Sequence, residues 1–284
     1  MENIFSKEIK VNIGINEDCP CNSGKNYGDC CKNKNHEYMT LGKNHKGVNI
    51  VFNNSMNMET YDKISNFALE NIFSLKEYEY ITISKGEELI HNIYSMVDEG
   101  ISQFETYAPC TKGCSRCCSL YLECTAIEAE AIRRHIKSTK TEEEIKEIEV
   151  YITTMKEKME TTKSPHDLEH TTLHDMYYNY LKEDTPCMFL KEDKSCGIYT
   201  TRPLRCRGFI VFTSSDKCSL TKEIVTPKLP PIYIGNLAIE HLSMKVGRYK
   251  SLTYVNENNE AKPIKRCLLQ WFNKGLDSID RTIE

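Results

Sequence analysis

Long apolar segments and a strong excess of charge of one sign are both missing from the sequence. No stretch approaches the roughly 20 apolar residues of a membrane-spanning helix, and residues 1–18 mix acids with lysines, unlike a secretory signal. The formal net charge is −4 at pH 7, which argues against a general nucleic-acid-binding protein but does not exclude a local basic patch. We therefore expect a cytoplasmic protein with no membrane span.

Familiar catalytic motifs are missing as well. No Rossmann-type GxGxxG is present, and apart from the thiols there is no persuasive acid–base or nucleophile constellation. The residues alone therefore leave open whether the protein is an enzyme.

Cysteine, in contrast, is abundant. The 284 residues include 14 cysteines, of which four fall within 19–31, five within 110–124 and four within 187–218, while Cys267 stands apart. An extracellular disulfide scaffold would be shorter and would carry a signal. Clustered cysteines in a reduced compartment instead predict metal ligands.

Periodic apolar residues predict a mainly α fold with metal-organised cysteine loops. Ile64, Phe67, Ala68 and Ile72 follow the spacing of one helix face, and the segment 125–128 is a capping-box pattern. We expect helices at 61–75, 86–106, 125–137, 141–159, 166–182, 236–249 and 263–275, and short strands near 9–13 and 47–52. The chain then divides into a zinc knuckle at 17–36, a linker at 37–60 and a helical cysteine-cluster domain at 61–284.

The first cysteine cluster has two thiols one residue apart, followed by two adjacent ones. These are Cys19, Cys21, Cys30 and Cys31, with Ser23-Gly24 in the turn between the pairs. Four soft ligands on so short a segment can surround one tetrahedral zinc ion. Because the segment has few apolar residues, metal binding would supply most of its folding energy.

This segment resembles the SEC-C motif, the zinc module at the C-terminus of the SecA translocation motor and of many other proteins. The resemblance covers about 20 residues, including Cys-Pro-Cys, Ser-Gly-Lys, Tyr27 and the final cysteine pair. It implies Zn2+ bound by the four cysteines and docking to a protein, peptide or ribosome. The alternative is a zinc staple with no partner.

The second group of cysteines is larger and more dispersed. It comprises Cys110, Cys114, Cys117 and Cys118, and later Cys187, Cys196 and Cys206. Seven thiols exceed what one mononuclear site uses. A tight group plus distant residues favours an iron–sulfur cluster, whereas zinc prefers two close pairs, so the sequence leaves both metals open.

Three arginines surround the last of these cysteines. Arg202, Arg205 and Arg207 could offset the negative charge of metal-bound thiolates and donate hydrogen bonds to sulfur. The alternative is that they pair with surface acids. We expect them to contact the cofactor.

This second pattern is similar to the YkgJ-type CxxCxxCC family, a zinc- or iron-chelating domain. The resemblance rests on the 110–118 group, Pro186-Cys187, Cys196-Gly-Ile-Tyr and Arg202-Pro-Leu-Arg-Cys206-Arg. It implies metal chelation, and flagellin lysine-N-methylases carry a similar cluster. A radical-SAM CxxxCxxC could be placed on the first three cysteines, but the adjacent Cys118 and the lack of a βα repeat argue against that fold.

Other residues are weaker candidates. Cys267 is expected in the core, Cys124 precedes a helix cap and is expected to be structural, and Cys218 could be an eighth ligand. His166, His170 and His174 share one helix face and could bind a metal, although a solvated polar face is the simpler interpretation.

Two functions are therefore carried forward. The first is an enzyme whose iron–sulfur or zinc centre modifies a peptide or protein substrate, by methyl transfer or redox chemistry, recruited through the knuckle. The second is a non-catalytic zinc-binding adaptor that docks to translation or secretion machinery. The metal of the second site, the substrate and the oligomeric state are not given by the sequence.

Overall fold

The structure is a computed structural model that describes residues 9–21, 23–110, 113–161, 179–180, 183–214, 218, 227 and 229–279. About half of it is helical, with small sheets, so the expectation of a mainly α fold is only roughly supported. Among the helices of the described residues, none is long and apolar enough to cross a membrane.

The strands are short, and the longest helices have 15 to 20 residues. The helices are α1 (Asn54–Ala68), α2 (Ile83–Ile101), α3 (Ala126–Thr139), α4 (Glu142–Thr161), α5 (Leu204–Arg207), α6 (Pro230–Lys245) and α7 (Leu268–Trp271). The strands are β1 (Ile9–Lys10), β2 (Tyr38–Lys43), β3 (Asn49–Asn53), β4 (Glu123–Thr125), β5 (Thr253–Val255), β6 (Ala261–Pro263) and β7 (Lys265–Cys267). They form three antiparallel sheets, β1-β2-β3, β4-β7 and β5-β6.

Helix α6 lies at the centre of the main core and packs against α1, α2 and α3. Its contact with α2 is close because two glycines face the opposite helix. A Cβ on Gly235 would lie 2.8 Å from Val97 Cγ2, and one on Gly100 would lie 2.8 Å from Pro231 Cγ. The missing side chains allow the two helix backbones to approach each other.

The β2–β3 hairpin occupies much of the segment that the sequence suggested was a linker. Side chains alternate across β3, so Ile50 and Phe52 enter the main core while Val51 packs against the N-terminal cysteine knuckle together with Tyr38. Helix α1 begins directly after β3, because Asn53 caps it by accepting a hydrogen bond from the Met56 N–H at 3.1 Å. This region is thus ordered structure that contacts both parts of the protein.

Several expected helices are present with shifted ends. The capping box holds, since the Thr125 N–H donates to Glu128 Oε2 at 2.8 Å, and α4 covers almost all of the expected 141–159. The expected helix at 263–275 is instead strand β7 followed by the single-turn α7. The expected helix at 166–182 lies outside the described residues, apart from 179–180, which are helical.

The C-terminal difference has a physical cause. Strand β7 pairs with β4, and Lys265 on β7 bonds the carboxylates of Glu123 at 3.2 Å and Glu240 at 2.9 Å. Burial would lower the pKa of Lys265, but these two acids outweigh burial and raise that pKa. This tertiary pairing overrides the local helical pattern.

Candidate metal centres

The N-terminal knuckle is a tight loop that folds back on itself. The Cys19 N–H donates to the Lys25 carbonyl at 2.9 Å, and the Tyr27 N–H donates to the Glu17 carbonyl at 2.8 Å. Gly24 has a φ of +73°, a left-handed conformation that glycine adopts at little cost. The turn brings the two cysteine pairs face to face.

The four sulfur atoms of the knuckle converge on one point. The Sγ atoms of Cys19, Cys21, Cys30 and Cys31 all lie within 4.8 Å of one another. Neighbouring pairs are separated by 3.3 Å (Cys19–Cys21), 3.5 Å (Cys21–Cys30) and 3.8 Å (Cys30–Cys31). Four sulfurs at 2.3 Å from one tetrahedral zinc ion would be roughly 3.8 Å apart, so the observed distances fit this ion.

Two thiols of the knuckle have pKa values on opposite sides of neutral pH. Burial would raise the pKa of Cys21, but hydrogen bonds from Ser23, Cys19 and Cys30 outweigh it and lower that pKa to about 6. Burial raises the pKa of Cys19 to about 12. A thiolate is therefore already present at neutral pH, while the buried thiols need the charge of a metal ion to lose their protons.

A small apolar cluster packs around the knuckle. Cys19, Cys31 and Tyr38 are buried there, and Ile13 and Val51 pack around them. The rings of Tyr27 and Tyr38 meet edge to face with their centroids 5.8 Å apart. This cluster is separate from the main core, so it offers little folding energy without a metal.

The second group of cysteines is assembled from distant parts of the chain. The Cys187 N–H donates to the Cys118 carbonyl at 2.8 Å, which joins the two halves of the sequence pattern. Residues 190 and 196 form a β-bridge, and the Gly197 N–H donates to the Phe189 carbonyl at 2.7 Å. Cys196 and Cys187 are thereby held on one short loop.

Cys117 is the thiol that interacts with most of the others. Burial is the main cause that raises the pKa values of five other cysteines, and the interaction with Cys117 raises each of these pKa values further. The five are Cys110, Cys187, Cys196, Cys206 and Cys218. A hydrogen bond to Cys118 is the largest cause that raises the pKa of Cys117 itself. Cys117 therefore lies close enough to these five thiols to interact with each of them.

The sulfur atoms of this group are more widely spaced than those of the knuckle. Across the part of the chain that the structure describes, the knuckle is the single place where three or more ligand atoms lie within 4.8 Å of one another. A polynuclear cluster holds its thiolates further apart than one ion does, because each thiolate binds a different metal atom.

Arg202 is the arginine that faces these thiols. Burial raises the pKa of Cys110, Cys196 and Cys206, and the Arg202 guanidinium acts in the opposite direction on all three. Its guanidinium carbon lies 4.1 Å from the centroid of the Tyr199 ring. Its Nε is buried and has no hydrogen-bond partner among the described residues, so it is free to donate to a metal-bound sulfur atom.

The other two arginines are placed differently. Arg207 is buried, forms an ion pair with Asp98, and donates to the carbonyls of Arg202 and Thr200. Arg205 is exposed. Arg207 thus positions the loop that carries Arg202, and the sequence-based expectation that all three contact a cofactor stays a prediction.

Glu128 is a site residue that the sequence did not reveal. Besides its role in the α3 capping box, its carboxylate accepts hydrogen bonds from the Leu204 N–H at 2.8 Å and from the Tyr94 hydroxyl at 3.1 Å. Leu204 is the first residue of α5, which carries Cys206. The capping-box pattern was the available signal, but it said nothing of this second contact 76 residues away.

The remaining cysteines divide into two kinds. Cys124 and Cys267 are buried on the paired strands β4 and β7, and Cys124 accepts a hydrogen bond from Trp271 Nε1 on its carbonyl at 3.0 Å. Burial raises the pKa of Cys218 to about 11, and Cys110, Cys114 and Cys117 raise it further. Cys218 is therefore within electrostatic range of the first four thiols of the group. His166, His170 and His174 lie outside the described residues.

These features support metal binding by the second group of cysteines. Residues 109–223 match the CxxCxxCC family model, which is described as "Putative zinc- or iron-chelating domain". The match confirms the resemblance seen in the second cysteine group, and it covers that group together with Cys124 and Cys218. No curated protein and no solved structure matched the chain.

Proposed function

We propose that the protein carries two different metal centres: a structural zinc ion in the knuckle and an iron–sulfur cluster in the CxxCxxCC domain. The convergence of four sulfur atoms within 4.8 Å carries the first half of the proposal. Four protein thiolates close every position of a tetrahedral zinc ion, which is typical of a structural site.

The second half rests on the number, spacing and surroundings of the other thiols. Seven cysteines of the family pattern, with Cys218 as an eighth candidate, exceed the needs of one ion. Their wider separation suits a cluster. The buried Nε of Arg202, without a partner in the described structure, suits a donor to sulfur, and such donors tune the potential of a cluster. Zinc is the competing metal at this site.

The experiment is a metal inventory of the anaerobically purified protein. Iron, acid-labile sulfide and zinc are measured per chain, together with the visible absorption spectrum. We expect about one zinc ion per chain and equal amounts of iron and sulfide. The visible spectrum should show a broad absorption band at roughly 400 nm, as iron–sulfur proteins do. A colourless protein with zinc alone would overturn the cluster and leave zinc as the metal of the second centre.

Two cysteine variants separate the centres. Cys206→Ser should lose iron and sulfide while the knuckle keeps its zinc, and Cys19→Ser should do the reverse. Cys267→Ala is the matched control, because it removes a buried thiol on β7 that lies outside the family pattern's seven cysteines. Loss of both metals from either single ligand variant would contradict the division into two centres.

We further propose that the second centre serves an enzyme acting on a peptide or protein substrate, by methyl transfer or redox chemistry. The observation that favours this over a purely structural adaptor is that, among the described residues, the thiols of this centre do not close around one point as those of the knuckle do, since a closed four-thiolate site is typical of structural zinc. The knuckle would then recruit the substrate. The adaptor alternative predicts instead that the metal-loaded protein binds translation or secretion components and turns over no substrate.

A further inference from the structure

A second feature of the molecule is a cleft between α2, α3 and the loop that follows Cys196. It has a volume of about 560 Å³, within the usual range of small-molecule sites. Its walls are Glu87 and His91 from α2, residues 133–135, 137 and 138 from α3, and residues 200–201 from the loop. None of the cysteines lines it.

The charges in the cleft are mostly positive and held in place. Arg133 binds the buried Glu130 with two nitrogens, both at 2.8 Å, and Arg134 Nε binds the same carboxylate at 3.2 Å. Glu130 has a side chain only 4% exposed, whereas Arg133 and Arg134 are 20% and 36% exposed. One buried acid therefore fixes both arginines. Arg133 Nη1 also donates to the Asp277 carbonyl, and Arg134 Nη1 donates to Ser84 Oγ and Glu87 Oε2, each at 3.2 Å, which leaves Arg134 Nη2 for an anion in the cleft.

Lys137 is the third cation that lines the cleft, and its ion pair is exposed to solvent. Lys137 Nζ lies 3.0 Å from an Asp277 carboxylate whose side chain is 94% exposed. An exposed pair of this kind contributes little, because water and salt screen it. Lys137 is therefore available to an incoming anion, while Glu87 is the one acid lining the cleft and is bound to Arg134 at 3.2 Å.

Neutral donors complete the lining. Thr200 contributes a hydroxyl group, and His91 and His135 contribute imidazoles, whereas the Ser138 hydroxyl already donates to the His135 carbonyl at 3.0 Å. Burial lowers the pKa of His135, and Lys140 and His91 act in the same direction, so that its ring is neutral at pH 7 and supplies one N–H. Guanidinium, ammonium, hydroxyl and imidazole groups together form the set of donors that surrounds phosphate oxygens.

We propose that this cleft binds the phosphate group of a small molecule. Phosphate is favoured over carboxylate because three cations and three neutral donors exceed what one carboxylate can accept. The loop contributes to the site and to the second centre at once, since Arg207 donates to the Thr200 carbonyl and Arg202 follows directly. A phosphorylated ligand would thus lie beside the chain segment that carries Cys196, Arg202 and Cys206.

The test is a titration of the full-length, metal-loaded protein with inorganic phosphate and with glycerol 3-phosphate, at fixed pH and ionic strength. The ring signals of His91 and His135 are followed by NMR, with His241 on α6 as an internal reference. Both ligands should shift the first two signals saturably, and acetate should not. No saturable shift, or an equal response to acetate, would overturn the proposal.

Variants make the test specific. Lys137→Gln changes an exposed residue and should weaken phosphate binding about tenfold, the loss expected for one charge-assisted contact. Arg134→Lys keeps the charge but loses the fork, and should weaken binding to a similar extent. Lys63→Gln on α1 is the matched control, since Lys63 also pairs with a single exposed acid, Glu99. Unchanged affinity in the Lys137 variant would contradict the site.

Discussion

The carboxylate of Glu128 accepts a hydrogen bond from the backbone N–H of Leu204 at 2.8 Å, which ties the start of α3 to the start of α5. Glu128 also accepts from Tyr94 at 3.1 Å, and Arg207 at the other end of α5 stacks on that same ring at 4.2 Å. The short helix that carries Cys206 is thereby fixed at both ends by buried polar contacts. A single turn of helix has little stability of its own, so these contacts decide where Cys206 lies.

Glu128→Gln should weaken the second metal centre without affecting the knuckle. The amide keeps the size of the carboxylate but loses its charge and one acceptor. We expect unfolding free energy to fall by about 2 kcal/mol and metal affinity of the second centre to fall about tenfold. Metal content after dialysis against a chelator series measures this, with Glu99→Gln on the exposed surface as control. Full retention of the second metal would refute the positioning role.

The single tryptophan reports on the body of the protein rather than the knuckle. Trp271 is fully buried and donates to the Cys124 carbonyl at 3.0 Å. Cys19→Ser should therefore lose the knuckle zinc with unchanged tryptophan emission, because the knuckle cluster is separate from the main core.

Amide hydrogen exchange provides the matching local measurement. In Cys19→Ser, amides of residues 19 and 27 should lose protection, while those of α2 and α6 keep it. An emission shift towards the unfolded wavelength in this variant would show that the two parts do not fold separately.

Asn53 connects three parts of the structure, so replacing it should lower the free energy of unfolding. Its side chain caps α1 and contacts His36 Nδ1 at 2.7 Å, while its N–H donates to Gln103 Oε1 at 2.8 Å. Asn53→Ala should lower unfolding free energy by about 1–2 kcal/mol in urea titration. Asn92→Ala, at an exposed position inside α2, should change it by less than about 0.5 kcal/mol.

Stability should fall on the acid side partly through Glu130. Burial would raise the pKa of Glu130, but hydrogen bonds from Arg133 and Arg134 outweigh it and lower that pKa. A carboxyl group with a lowered folded-state pKa stabilises the protein above its unfolded pKa of about 4.3, and this contribution is lost as pH falls through the folded value. Glu130→Gln should cost about 2 kcal/mol at pH 7.

The pH series supplies the check on this interpretation. The deficit of Glu130→Gln should shrink as the pH is lowered from 7 through the unfolded pKa, because the wild-type carboxyl then becomes protonated as well. Urea midpoints measured at intervals between these pH values would show it. A deficit that stays constant down to the acid limit would mean that the charge of Glu130 contributes nothing.

The sequence was most informative where a short segment determines its own structure. The knuckle needs only the two cysteine pairs and the turn at Gly24, and the capping box needs only Thr125 and Glu128. Contacts between remote segments were not foreseeable, such as Arg207 with Asp98, or Leu204 with Glu128. Strand β7 shows the same limit, because its pairing with β4 depends on a partner far away in the chain.

The wide spacing of the second group of thiols also could not be read from the sequence. Spacing along the chain showed that these cysteines belong together, and the family match agrees. It could not show that Cys117 interacts with five of the other thiols, or that Arg202 acts on them while Arg205 is exposed. Those distinctions depend on the direction of side chains on a loop whose shape is set by hydrogen bonds to other loops.

The hairpin between the knuckle and the body has a consequence for how the chain can be divided. At the tip of the hairpin, Asn44 Nδ2 donates to the Tyr107 carbonyl at 3.1 Å, and the His45 N–H donates to the Phe212 carbonyl at 2.7 Å. In the sequence, Tyr107 precedes the second group of cysteines and Phe212 follows Cys206. A chain shortened to begin at residue 61 would lose Ile50 and Phe52 from the core, and it would lose these two hydrogen bonds. Force applied to the knuckle by a docked partner would pass along the hairpin to the segments before Cys110 and after Cys206.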